Sequence, residues 1–185
     1  MNDPRMAQQS LVRVIELDPS SWSGWTKLDV SCALHDNWEL IGKCFTQAQL
    51  VDPEYHVSWL GSSFSRLVMG QEHAPMVAHA YELGQAEHGD TLYHHAKNLY
   101  TNPTESNLAE ASFCLLKCKE RSRADSAALN LYGLVLEMQG VYSQSCQAFN
   151  LALDMCQKPE VIPFLVENYA RVLCFDQQYE DSIQQ

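Results

Sequence analysis

At 185 residues the chain suits one ordinary domain or a short array of repeats and can bury a sizeable apolar core. Hydrophobic residues make up 46% and charged residues 19%, which argues against disorder. Twelve Lys and Arg against twenty-three Asp and Glu leave a formal charge of −11, so a polyphosphate backbone is repelled and autonomous nucleic-acid binding is disfavoured.

The start, Met1-Asn2-Asp3-Pro4-Arg5, lacks the basic and apolar regions of a secretory signal. Ser10 to Pro19 reads as the second helix of a hairpin without its mate. Trp25, Leu28 and Cys32 then form the stripe of a first helix, and His35-Asp36-Asn37 a polar break. Trp38, Phe45 and Ala48 mark the buried face of a second helix, which Asp52-Pro53 ends because proline cannot continue it. Leu60, Phe64, Leu67 and Val68 give the next helix, Gly70 its turn, and Pro75 the first turn of the helix that follows.

Leu92, His95, Ala96 and Leu99 predict one helix, Asn102-Pro103-Thr104 a break, and Leu108, Ala111, Leu115 and Cys118 another. Asn107 with Glu110 reads as the capping box of the latter. In the clearest hairpin, Leu129, Tyr132, Gly133 and Leu136 precede a turn at Gly140, and Tyr142, Ser145, Phe149 and Ala152 follow it. Gly133, Ser145 and Ala152 are small where two helix axes must approach. Tyr169, Ala170 and Leu173, then Tyr179 and Ser182, repeat this lettering 37 residues on, so a break is expected before Tyr179. No stretch alternates apolar and polar residues over strand length, and an all-α fold is predicted.

Pro19 and Pro53 lie 34 residues apart, each ending a similar phrase, and Trp25 and Trp59 share that spacing. The period is that of a tetratricopeptide unit, a pair of antiparallel helices that buries its apolar face by stacking on its neighbours. The expected organisation is an α-solenoid of about five antiparallel helix pairs with degenerate central ones. Its segments are 1–21, the end of a preceding repeat; 22–55, a repeat; 56–87, a divergent repeat; 88–124, a degenerate pair; 125–158, a repeat; and 159–185, an incomplete final repeat.

No phosphate loop, dinucleotide-binding glycine motif, His-Glu-x-x-His pair or Gly-x-Ser-x-Gly elbow occurs. No catalytic residue, cofactor site or metal site is therefore assigned. Seven cysteines, an odd number without a Cys-x-x-Cys pair, read as reduced core thiols. Cys114 and Cys118 share a helix face but lack a second ligand pair, and adjacent His94 and His95 point too far apart to share one ion. Lys117, Lys119, Arg121 and Arg123 form a basic cluster. It reads first as a solvated helix end, with an acidic protein contact as the functional alternative and RNA a remote third, since no aromatic is interleaved to stack a base.

The phrase from Gln47 to Tyr55, with Ser58-Trp59-Leu60-Gly61, resembles the central part of the tetratricopeptide scaffold subunit of the superkiller (Ski) complex. So does Glu167 to Cys174 running into Gln178 to Ile183. The resemblance implies a non-catalytic scaffold carrying an RNA helicase and a propeller-repeat subunit and assisting 3′-to-5′ messenger RNA decay by the cytoplasmic exosome. Members of that family are several times longer, so the chain is expected to be part of a longer protein. No membrane or direct nucleic-acid partner is expected, and the location is cytoplasmic, with a nuclear pool compatible. Asp29 and Ile41 depart from the pattern, standing where a small residue is usual.

Resemblance to tetratricopeptide proteins in general places the inner groove at Thr26, Val30, Ala33 and Leu34, then at Leu60, Phe64, Leu67 and Val68, and later at Asn130, Leu134, Glu137 and Met138. This face is mostly apolar, unlike the Lys, Arg and Asn of arrays that grip a terminal carboxylate. Such a groove is expected to be covered, first by neighbouring turns of a tight superhelix and alternatively by a partner segment; for the partner, Val30, Leu34, Leu60, Phe64, Leu134 and Met138, with the basic cluster, are the candidate binding residues. The alternative reading is an unrelated tetratricopeptide adaptor presenting clients to a transport, ubiquitin-ligase or chaperone machine.

Overall fold

A computed structural model describes residues 4–21, 24–25, 27–28, 38–84, 88–121 and 125–183. Among the described residues all regular structure is helical, with no strand. No described helix is long and apolar enough to cross a membrane. The predicted break at His35-Asp36-Asn37 lies outside the described residues. Two compact units, Met1–Gln85 and Ala86–Gln185, divide the chain.

The first unit holds α1 (Pro4–Leu17), α2 (Trp38–Val51), α3 (His56–Val68) and α4 (Ala74–Leu83), with α3 packed against both α2 and α4. Ile15, Leu28, Ile41, Cys44 and Phe45 form its core, covered by Trp25 and Trp38. The period of 34 is written in hydrogen bonds. Trp25 donates its indole N–H to the Pro19 carbonyl at 3.0 Å, and Trp59 donates to that of Pro53 at 2.8 Å. Asp18 Oδ1 accepts the Ser20 amide at 3.1 Å, and Asp52 Oδ1 accepts that of Glu54 at 3.2 Å. Each aspartate closes an Asx turn before a proline that stops the helix, and each tryptophan ties the next helix back to that stop.

In α3 the buried residues are Ser58, Ser62, Ser63 and Ser65, while Phe64, Leu67 and Val68 are 48%, 44% and 46% exposed. These three, assigned from the sequence to the groove face, are thus accessible, and serines fill the core side of the helix. Serine can be buried here because its hydroxyl finds a partner: Ser58 donates to Tyr55 O at 2.7 Å, Ser63 to Leu60 O at 2.6 Å, and Ser62 Oγ accepts Gln49 Nε2 at 2.8 Å. Small side chains also let α2 come close, and a Cβ on Gly61 would collide with the Phe45 ring.

Gly70 (φ 68°) and Gly140 (φ 75°) end their helices in the left-handed region. Gly70 N–H bonds Leu67 O and Gln71 N–H bonds Arg66 O, and Gly140 and Val141 repeat this on Glu137 and Leu136. Both are Schellman motifs, which glycine adopts without a Cβ penalty. α4 then starts at Ala74 with Pro75 in its first turn, where the missing N–H costs nothing.

The second unit holds α5 (Gly89–Thr101), α6 (Glu105–Arg121), α7 (Ser126–Met138), α8 (Tyr142–Met155) and α9 (Ile162–Ile183). Each packs on the next, and α7 also touches α5 and α9, the pattern of stacked hairpins. Ser145 donates to the Gly133 carbonyl at 2.7 Å, and a Cβ on Gly133 would stand 2.7 Å from Phe149 Cε1. Phe149 and Ala152 are fully buried.

Two expectations are corrected. The residue that caps α6 is Thr104, not Asn107: its Oγ1 accepts the Asn107 amide at 3.1 Å, while Asn107 Nδ2 donates to Asn102 O at 2.7 Å. The helix therefore starts at Glu105, because Pro103-Thr104 already supplies the stop and the cap. The break before Tyr179 is absent, and α9 runs unbroken from Ile162 to Ile183. Phe175-Asp176-Gln177-Gln178 contains neither Gly nor Pro, so nothing there ends a helix.

Gly133→Ala is expected to destabilise the chain by about 1–3 kcal/mol through overpacking against Phe149, and Gly61→Ala by more. Urea unfolding checks both, and Phe149→Leu should recover part of the loss in the first case.

Candidate interaction surface

The second unit carries an open cleft of ≈ 680 Å3 lined by α5, α7, the end of α8 with Gln157 and Lys158 beyond it, and the start of α9. From α5 come Tyr93, Lys97 and Tyr100, whose i, i+4, i+7 spacing puts them on one face. From α7 come Asn130 and Leu134, one turn apart, and Val161 and Leu165 complete the far wall at the start of α9. Contacts of α7 with both α5 and α9 make it the middle wall.

Polar bonds fix this wall. Asn168 Nδ2 donates to Asn130 Oδ1 at 3.0 Å, and Arg171 grips Glu137 through Nε and Nη2, each at 2.7 Å. This two-point hydrogen bonding to Glu137 raises the Arg171 pKa, so the guanidinium stays charged. Leu134 also packs against the core of Cys146, Phe149 and Val172. Burial raises the Tyr93 pKa, with Asp125 and Cys118 adding to it, so the phenol keeps its proton. Burial lowers the His94 pKa, Lys97 lowers it further and Asp90 opposes them, so the imidazole is neutral at pH 7.

The structure separates the candidates named from the sequence. Leu134 lies in the cleft, but Met138, 47% exposed, lines a different depression with Pro103, Leu108 and Val141. In the first unit Phe64 meets the Trp38 ring edge-on, centroids 5.7 Å apart, and Leu60 is half-buried. Lys117 rests over the Phe113 ring at 4.4 Å, and Lys119 is exposed. Val30, Leu34 and Arg123 and the side chain of Arg121 lie outside the described residues.

Tyr93, Lys97, Tyr100 and Lys158 line the cleft without having been singled out in the sequence. The helical spacing of the first three was readable, but it sits in a pair without repeat lettering. Two lysines and Asn130 border a cleft whose surface is otherwise mainly apolar.

No group of three or more His, Cys, Asp or Glu able to hold a metal occurs among the described residues. Cys114 and Cys118 are buried on α6, and Cys118 Sγ lies 3.5 Å from Gly89 O at the start of α5. His95 is buried and its Nε2 lies 3.1 Å from Glu110 Oε1 on α6.

The lowered His94 pKa carries a pH signature. As pH falls below the ordinary value of 6.5, the unfolded chain takes up this proton before the folded one does. The stability that His94 contributes is complete above 6.5 and is lost on acidification. The fall in Tm between pH 7.5 and pH 5.5 is expected to shrink in His94→Gln; an identical fall in both proteins would contradict this.

No protein-family profile matches the sequence. The whole chain is similar to tetratricopeptide repeat protein 37 of Xenopus laevis, at 26% identity over 202 aligned residues, and spans 13% of that relative's length. Among solved structures, YrrB, described as a tetratricopeptide protein with an unusual peptide-binding site, superposes with a TM-score of 0.74 at 16% identity, covering 96% of this chain and 89% of its own. The APC/C hetero-tetramer Cut9-Hcn1 gives 0.69 at 14% identity, over 98% of this chain and 35% of the other. The fold is all-α, of the tetratricopeptide α-solenoid type.

Proposed function

We propose that this chain is a non-catalytic protein–protein interaction scaffold, and that it serves a superkiller-type complex assisting 3′-to-5′ messenger RNA decay by the cytoplasmic exosome. The observation that carries this reading is similarity along the entire chain to a much longer tetratricopeptide repeat protein, taken with the two quoted phrases that resemble the superkiller scaffold. The cleft supports a binding role, because it joins apolar area to a few placed polar groups. Its partners would be the RNA helicase and propeller-repeat subunits of that complex, with RNA handled by the helicase. Candidate contacts on this chain are Leu60, Phe64, Leu134 and Met138, with Lys117 and Lys119 for an acidic loop.

The second reading, an adaptor for another machine, is favoured by the spread of proteins that share the fold, among them an APC/C hetero-tetramer and the yeast Tom70. A common fold does not choose between them. Affinity purification of the tagged full-length gene product from cytoplasm is expected to bring down an RNA helicase and a propeller-repeat protein together. Recovery of neither would overturn the superkiller role and leave the adaptor.

A further inference from the structure

The cleft of the second unit differs in charge from the chain around it. Lys97 and Lys158 line it against one carboxylate, Asp125, in a protein of net charge −11. Asp125 is already engaged as the cap of α7, where its Oδ1 accepts the Ala127 amide at 3.3 Å. Both lysines are exposed. The ion pairs among the described residues engage Arg13, Lys43, His79, His95 and Arg171, and neither cleft lysine. Arg171 is neutralised by Glu137. The cleft's apolar floor is formed by Leu134 and Val161, underlain by Leu165, which is itself buried, and the lining also includes Tyr93 and Tyr100.

We propose that this cleft binds a short acidic peptide segment with an apolar anchor. A leucine- or phenylalanine-type side chain sits on Leu134 and Val161, and carboxylates before and after it pair with Lys97 and Lys158. The Asn130 carboxamide, held by Asn168, supplies N–H donors for a peptide carbonyl. The cleft's volume of ≈ 680 Å3 accommodates one large side chain and its neighbours.

Charge decides between a peptide and a nucleic acid. A peptide confines its few carboxylates to within a Debye length, about 8 Å at physiological salt, of the two lysines. A nucleic-acid strand continues past them with a charge at every phosphate and meets the acidic remainder of the chain. The anchor then distinguishes this site from an unspecific ion-exchange surface, because the apolar floor rewards only a segment that buries a side chain.

The inference rests on the interaction-scaffold reading and adds the chemistry of the ligand. Its test is fluorescence anisotropy with the whole 185-residue chain and a labelled Glu-Asp-Leu-Phe-Glu-Asp peptide. Binding is expected to weaken with added salt and to fall about tenfold in the Lys97→Glu, Lys158→Glu double variant. Both positions are exposed, and an unchanged circular dichroism spectrum checks that the variant is folded. Replacing Leu-Phe by Ser-Gly in the probe is expected to lose binding, and Lys-Arg flanks are expected to bind more weakly.

Equal binding of the basic peptide, undiminished binding of the Ser-Gly probe or indifference to the double variant would overturn the proposal. Absence of binding would also overturn it, as would capture of an oligouridine decamer in place of the acidic peptide. These results leave the affinity purification untouched, so the two readings fail separately.

Discussion

The second unit depends on how closely α7 and α8 approach. Gly133 leaves the Phe149 ring room to lie against the helix backbone, and Ser145 bonds the carbonyl of that same glycine. Removing a side chain from one helix thus creates the seat for an aromatic on the other, and the polar atom nearest the seat is satisfied. In the first unit Phe45 occupies the space beside Gly61, between α2 and α3 rather than within a single hairpin. The device is one, an aromatic pressed on a missing side chain, but it joins different helix faces. Interiors packed in this way tolerate little change in volume.

Much of the fold was legible because its punctuation is local. Asp-Pro stops, turn glycines at positions 70 and 140 and a proline in a first helical turn act through backbone geometry that a few residues fix. The matched tryptophans were legible for the same reason, since each reaches back to a proline carbonyl six residues earlier. Less legible was that serines would fill the buried face of α3. Its Phe64, Leu67 and Val68 carry the hydrophobicity, but the serines carry the shape that close packing needs. Hydrophobic periodicity does not see shape. Nor could it see Thr104 as a cap, because Asn107 followed by Glu110 offered an equally good pattern one turn later.

The cleft was harder still to read. Its lining comes from within residues 93–101, 125–134 and 155–165, and only the succession of α5, α7, α8 and α9 brings them together. Lys97 and Lys158 are each unremarkable as sequence. Brought to one cleft, they are the cations that the proposed acidic segment would meet.

Gly70 and Gly140 present an opportunity to the chemist. A side-chain carbon added at either would meet nothing within 4 Å, so the only objection to one there is the handedness of the backbone. That objection vanishes for a mirror-image residue, for which a positive φ is the relaxed state. D-alanine installed by semisynthesis would keep both turns intact while narrowing the conformations open to the unfolded chain.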